Sequence, residues 1–182
     1  MDNLDCADLG VEEGKPFRVG QIELHPLFTP GHTNTHHAYL LDNGMQKNLF
    51  SGDALLIEAC GRTDFQSGDP AQLYQSVTNK FFTLPDETLV YPAHDYENRY
   101  VSTMGQEKQR NPRLGDNRPI DEFIDIMNGL DLPYPRKIDF SVPGNQLCGA
   151  CPENVPEKYR GPCDTYKLKH DSKRSPVVGD QG

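Results

Sequence analysis

Three short polar islands, each closing a run of apolar, strand-like residues, constrain this chain more than any other feature. They are Thr29-Pro30-Gly31-His32-Thr33, Ser51-Gly52-Asp53-Ala54-Leu55 and Tyr91-Pro92-Ala93-His94-Asp95-Tyr96. In each, the polar residue follows a Gly or Ala, which lets backbone approach closely. Neutral imidazoles and a carboxylate presented at strand ends suit a borderline divalent cation such as iron or zinc. The order His32, Asp53, His94, with gaps of 21 and 41 residues, makes three independent turn-satisfying polar residues the weaker reading. The set is short of donors, because no His-x-His or His-x-x-x-His pair precedes His32.

The pattern between the islands tells how they meet. Arg18 to Phe28 carries partly alternating apolar residues and predicts one or two strands ending at Pro30-Gly31. His36 to Leu41 predicts a strand, Asp42-Asn43-Gly44 a hairpin turn, and Lys47 to Ser51 the partner strand. The first two islands thus flank a hairpin, which places His32 and Asp53 at one end of a sheet. Pro70 opens a predicted helix with Leu73, Val77 and Phe81 at i, i+4 and i+8, and with Tyr74 and Leu84 beside them. Thr88 to Tyr91 predicts a short buried strand that delivers His94. Residues 97–110 are polar and compatible with a helix. Ile120 to Leu130 predicts a second amphipathic helix. Ile138, Phe140 and Val142 alternate and predict one extended piece. The three resulting segments are a polar lead-in over 1–17, a layered domain over 18–143, and a Gly-, Pro- and Lys-rich tail over 144–182 expected to be disordered.

Charge excludes some functions. The net charge of −9 repels a phosphate backbone, which argues against nucleic acid as a partner. No apolar run reaches the length of a membrane span. The first 13 residues hold five acids and no basic residue, the wrong charge for a leader, so as written the chain is expected in the cytoplasm. Five unevenly spread cysteines do not form a secreted disulfide framework, and Cys6 and Cys60 are expected as reduced thiols. Cys148-x-x-Cys151 with Cys163 and His170 is a weak zinc-knuckle pattern. His36 and His37 occupy adjacent strand positions, so at most one faces the islands, and both are expected to be structural or solvent-facing.

Longer stretches carry a family resemblance over about residues 18–149. They include Ser51 to Ile57 running on to Cys60-Gly61-Arg62-Thr63-Asp64-Phe65-Gln66, and Phe82-Thr83-Leu84-Pro85. They also include Tyr91 to Tyr96, Asn111-Pro112-Arg113-Leu114 and Ile138-Asp139-Phe140-Ser141-Val142-Pro143. The chain resembles the C-terminal part of a metallo-β-lactamase-fold protein. Within that superfamily it is similar to the persulfide dioxygenases, the ethylmalonic-encephalopathy protein family. The Gly-Arg-Thr-Asp-Phe run is shared in part with glyoxalase II thioesterases, and the preceding Leu-Leu-Ile favours the dioxygenases.

The resemblance implies an α/β protein with an αββα sandwich, here its second half. It implies one iron(II) held by two histidines and an aspartate, with open positions. His32 and Asp53 match two of those ligands. His94 matches the superfamily's second-metal histidine. The third iron ligand of the family lies in a Thr-His-x-His-x-Asp-His motif that this chain lacks. The implied reaction is oxidation of glutathione persulfide by dioxygen to sulfite and glutathione. Arg62, Tyr96 and Arg113 are implied around the glutathione pocket, where arginine forks suit carboxylates. Arg62 has a second expected role, bracing the metal loop through Asp64 or Asp95. The alternative activity is a two-metal, zinc-type thioester hydrolase with Asp53 bridging, and a non-catalytic half-domain is the reading from another class.

A lone half-sandwich also has a physical consequence. At ~25 cal/mol per Å² of apolar surface, several hundred Å² left wet is comparable to a domain's whole stability. Either the chain is a truncated form of a longer protein, the first expectation, or cover is expected from a separate complementary N-terminal half or from a homodimer. A full-length eukaryotic form with a leader would be mitochondrial.

Overall fold

The computed structural model describes residues 7, 9–65, 67–149, 155–158 and 160. The chain divides into two compact units, Val11–Asp131 and the combination of Met1–Gly10 with Leu132–Gly182. The first holds every island.

Its frame is a six-stranded sheet in sequence order. The strands are β1 (Phe17–Val19), β2 (Ile22–Phe28), β3 (His37–Asp42), β4 (Lys47–Gly52), β5 (Leu89–Pro92) and β6 (Ser102–Thr103). All neighbours are antiparallel except β4 and β5. The β3–β4 hairpin turns where Asp42-Asn43-Gly44 predicts it, with the Asp42 carboxylate accepting from the Gly44 N–H and Gly44 at φ +82°. The parallel β4–β5 pair needs a crossover, supplied by the helix from Pro70.

That helix, α1 (Pro70–Ser76), starts as its sequence dictates. Asp69 caps it by accepting the Gln72 N–H, and Pro70 takes the first-turn position where no N–H is required. The bond to Gln72 holds the Asp69 carboxyl below the usual range. The chain continues in wider π-type turns over Val77–Phe81. The remaining helices of this unit are α2 (Met104–Arg110) and α3 (Ile120–Asn128). Only the second half of the predicted 97–110 helix is helical, because Thr103 caps it at Met104 and Ser102–Thr103 pairs with β5 as β6.

One face of the sheet meets the helices. Ala38, Leu49 and Val90 from the strands cluster with Leu73, Val77, Phe81 and Phe123, all fully buried. Register places Leu24, Tyr39, Phe50 and Tyr91 on the opposite face. These are half-buried, or exposed in the case of Phe50, and they pair through rings: Phe17 with Tyr39, and Phe50 with Tyr91. A charge-free aromatic face set against a finished core is the pattern of one layer of a sandwich.

In the second unit, α4 (Ile138–Gln146) replaces the expected extended piece. Spacing i, i+2, i+4 contains i, i+4, so Ile138 and Val142 fit a helix as well as a strand. Residues beyond 149 lie mostly outside the described set, and so does most of the expected tail, including Cys151, Cys163 and His170. Cys6 lies outside it too. No helix among the described residues is long and apolar enough to cross a membrane.

Candidate metal centre

The first island is pressed against α1. Asp69 N–H donates to the Gly31 carbonyl at 2.8 Å, and Ser76 Oγ donates to the Pro30 carbonyl at 2.7 Å. A Cβ on Gly31, whose φ is +138°, would stand 2.3 Å from Leu73 Cα. Glycine is therefore required there, and the close approach fixes where His32 begins.

The second island leaves β4 through Gly52 at φ +58°. Its carbonyl accepts the Ala93 N–H at 3.0 Å, which ties the second island to the third. The Asp53 carbonyl accepts from Gly61 at 2.8 Å. A Cβ at Gly61 would overlap both that carbonyl and the His32 ring.

These constraints bring the three side chains together around Asp53. His32 Nε2 lies 3.8 Å from Asp53 Oδ2, and His94 Nδ1 lies 3.0 Å from Oδ1. His32 Nδ1 is 2.7 Å from the Arg62 carbonyl. A carbonyl only accepts, so Nδ1 carries the proton and Nε2 turns its lone pair toward Asp53. Backbone-oriented imidazoles of this kind are the usual form of a metal-binding histidine. Asp53 Oδ1 is buried and has no hydrogen-bond donor. His94 Nδ1 is near enough but stands outside hydrogen-bonding geometry. A buried acceptor facing a ring nitrogen with no proton shared between them fits a cation.

The set is partial. Among the described residues no three His, Cys, Asp or Glu side chains are grouped so that they could hold a metal ion by themselves; the two histidines face different oxygens of one carboxylate. His94 is also half-exposed, with Nε2 at 3.0 Å from the exposed Tyr96 hydroxyl.

His36 supports the site from beneath. Its Nε2 accepts the Asp53 backbone N–H at 3.1 Å, and Nδ1 bonds Thr29 Oγ1 at 2.8 Å. Burial, followed by the neighbouring His32, pushes its pKa down to about 4, so the ring stays neutral and able to accept. His37 instead bonds the Thr35 carbonyl and packs on Phe28.

The three residues expected around the substrate have separate engagements. Arg62 pairs with Asp64 at 2.6 Å and stacks its guanidinium on Phe65, which is the first of the two braces expected for it. Arg113 Nη1 donates to the Cys60 carbonyl at 2.8 Å. Tyr96 stands exposed beside His94. Cys60 itself is a buried free thiol, and burial pushes its pKa up to about 11.

Two further groups escape sequence reasoning. The Arg99 guanidinium meets Asp95 at 2.9 Å, Glu58 at 2.7 Å and the Ile57 carbonyl at 3.0 Å, clipping the Asp53 loop to the His94 loop. Its bonds hold the Asp95 carboxyl down at about 2. Glu107 is fully buried and accepts from Ser102 Oγ, Asn111 Nδ2 and the Glu58 N–H. A cleft of about 470 Å³ opens here, lined by His94, Tyr96, Arg99, Arg110, Ile57 and Pro112 among others.

Comparison with known proteins bears on the fold and the family. Residues 10–94 match the family described as the metallo-beta-lactamase superfamily. The human mitochondrial persulfide dioxygenase ETHE1 is 48% identical over 143 residues, which is 79% of this chain and 55% of that protein. The crystal structure of ETHE1 from Myxococcus xanthus superposes with a TM-score of 0.74 at 50% identity, covering 80% of this chain and 62% of the other. A hydroxyacylglutathione hydrolase from Dictyostelium discoideum is 37% identical over 90 residues, 47% of this chain and 33% of its own length. The chain spans about half the length of the curated relatives it matches first.

Proposed function

We propose, for a chain that carries part of the metallo-β-lactamase fold and is similar to the persulfide dioxygenases over four-fifths of its length, that it contributes to an iron-dependent dioxygenase of glutathione persulfide. The observation that carries this reading is the convergence of His32 and His94 on the carboxylate of Asp53, whose Oδ1 is buried and has no hydrogen-bond donor.

In the balanced reaction, glutathione persulfide, dioxygen and water give glutathione, bisulfite and a proton. The outer sulfur loses four electrons to dioxygen, which provides two of the three sulfite oxygens while water provides the third. Iron(II) supplies the one-electron chemistry that lets triplet dioxygen react with closed-shell sulfur. His32 Nε2 and Asp53 are its expected ligands on this chain, with His94 at the second-metal position. Two or three donors hold a divalent ion weakly, so the complete enzyme needs further ligands.

The other residues do orienting work. Arg62 fixes the His32 tautomer through its carbonyl while its side chain braces Asp64. Neutral His36 holds the Asp53 backbone. Tyr96, exposed at the rim beside His94, is the best placed of the three expected substrate contacts. The aromatic outer face of the sheet takes a covering layer, from a complementary N-terminal half or a second copy. Mammalian relatives are named as mitochondrial proteins, and the same compartment is proposed for a full-length form with a leader.

The hydrolase alternative would use the same three residues. Asp53 presents one oxygen to each histidine, as a carboxylate bridging two zinc ions would. Oxygen uptake with glutathione persulfide, measured with iron supplied and alongside metal content, separates the two. One iron and persulfide-dependent uptake support the dioxygenase. Two metals with thioester turnover and no uptake overturn it, and absence of both activities points to a non-catalytic half-domain.

A further inference from the structure

The cleft beside His94 holds three carboxylates, Glu58, Asp95 and Glu97, and two guanidinium groups, Arg99 and Arg110. Arg99 contacts all three acids, at 2.7, 2.9 and 3.5 Å. Arg110 ends α2 with an exposed side chain, and among the described residues that side chain has no hydrogen-bond or ion-pair partner. With Arg99 fully engaged, the rest of this lining would repel an anion in a protein already at −9. The volume of about 470 Å³ is in the range of small-ligand sites, and Leu56, Ile57 and Pro112 give it apolar walls.

We infer that Arg110 is the carboxylate anchor of this cleft and thereby selects persulfide substrates that bear a free carboxylate at the end remote from the sulfur. This rests on the proposed substrate class and adds a residue to it. The sulfur-bearing end lies toward His94 and Tyr96, and the carboxylate reaches the α2 terminus. A guanidinium fork is suited to it because it grips a carboxylate bidentately where an ammonium cannot. The ordinary alternative for Arg110 is that its charge merely complements the carbonyl end of α2.

The test uses S-methylglutathione, whose capped sulfur keeps metal ligation out of the readout, and its diethyl ester, in which both carboxylates are masked. Binding to the whole chain is followed by calorimetry for the native protein, Arg110→Ala and Arg110→Lys, with the thermal midpoint of each recorded. The expected result is a Kd weakened about tenfold in Arg110→Ala, the scale of one lost charge-assisted contact. Arg110→Lys, which keeps the helix-end charge, should fall between the two, and the ester should bind all three proteins equally weakly. Equal binding of S-methylglutathione to native and Arg110→Ala protein overturns this inference and leaves the substrate reading standing. Failure of the native protein to bind S-methylglutathione at all overturns both. Lower thermal midpoints with unchanged affinities assign Arg110 to helix termination and overturn the inference.

Discussion

The backbone N–H of Asp53 donates to His36 Nε2 across 3.1 Å, so a half-buried neutral imidazole sets the position of the central carboxylate. Replacing His36 with Ala strands that N–H and the Thr29 hydroxyl. We expect a loss of about 1–3 kcal/mol in urea unfolding, the cost of an unsatisfied buried polar group, together with weaker iron binding. A His36→Ala protein with unchanged stability would remove the support role.

Asp53→Asn should do the opposite to the metal-free protein. Asp53 Oδ1 is a buried acceptor without a donor, and an amide can offer N–H where the carboxylate offers only lone pairs. Metal-free stability is expected to stay level or rise, while any increase in thermal midpoint on adding iron(II) or zinc disappears. A variant that still responds to metal as the native chain does places the cation elsewhere.

Glu107 joins Ser102, Asn111 and the Glu58 N–H at the base of the loop after Asp53. Glu107→Ala leaves three donors unmatched inside the protein, and a loss of about 3 kcal/mol or more is expected in urea unfolding. Glu107→Gln keeps the shape and should lose less. Finding the two variants equally stable would contradict this account.

Cys60 should be a poor nucleophile. With its pKa pushed up to about 11 by burial, only about one thiol in ten thousand is ionised at pH 7. Alkylation with iodoacetamide, located by peptide mass spectrometry, should be far slower at Cys60 in the native than in the unfolded chain. The linkage has a definite sign. The unfolded thiol ionises near pH 9 and the folded one near 11, so this residue's support for the fold is intact below 9 and is lost as pH rises from 9 to 11. Fast native labelling of Cys60 at neutral pH would show the thiol to be accessible.

What could be read from sequence was whatever is local. The hairpin at Asp42 to Gly44, the capped start of α1 at Asp69-Pro70 and the three islands each announce themselves within a few residues. The hairpin alone was enough to bring His32 toward Asp53. The failures have equally definite causes. Ile138 to Val142 obeys two periodicities at once, and the helical one holds. Arg99 and Glu107 find partners 41 and 49 residues away, at Glu58, and no spacing rule links such positions. The bond from Arg113 to a carbonyl 53 residues upstream follows from no spacing rule either. Arg110 carries no motif, and only the cleft gives it meaning.

Asp53 and His94 sit one and two residues past the tips of β4 and β5, which lie side by side and run in the same direction. Their separation is therefore ruled by the interstrand spacing of a pleated sheet, about 4.8 Å, and not by the length of what connects them. Outside the contacts that Ile57, Glu58, Gly61, Arg62 and Asp69 make with the three islands, the crossover from Ala54 to Thr88 can change in length without retuning that distance. A scaffold of this kind can exchange one reaction for another by rewriting its loops while its ruler stays the same.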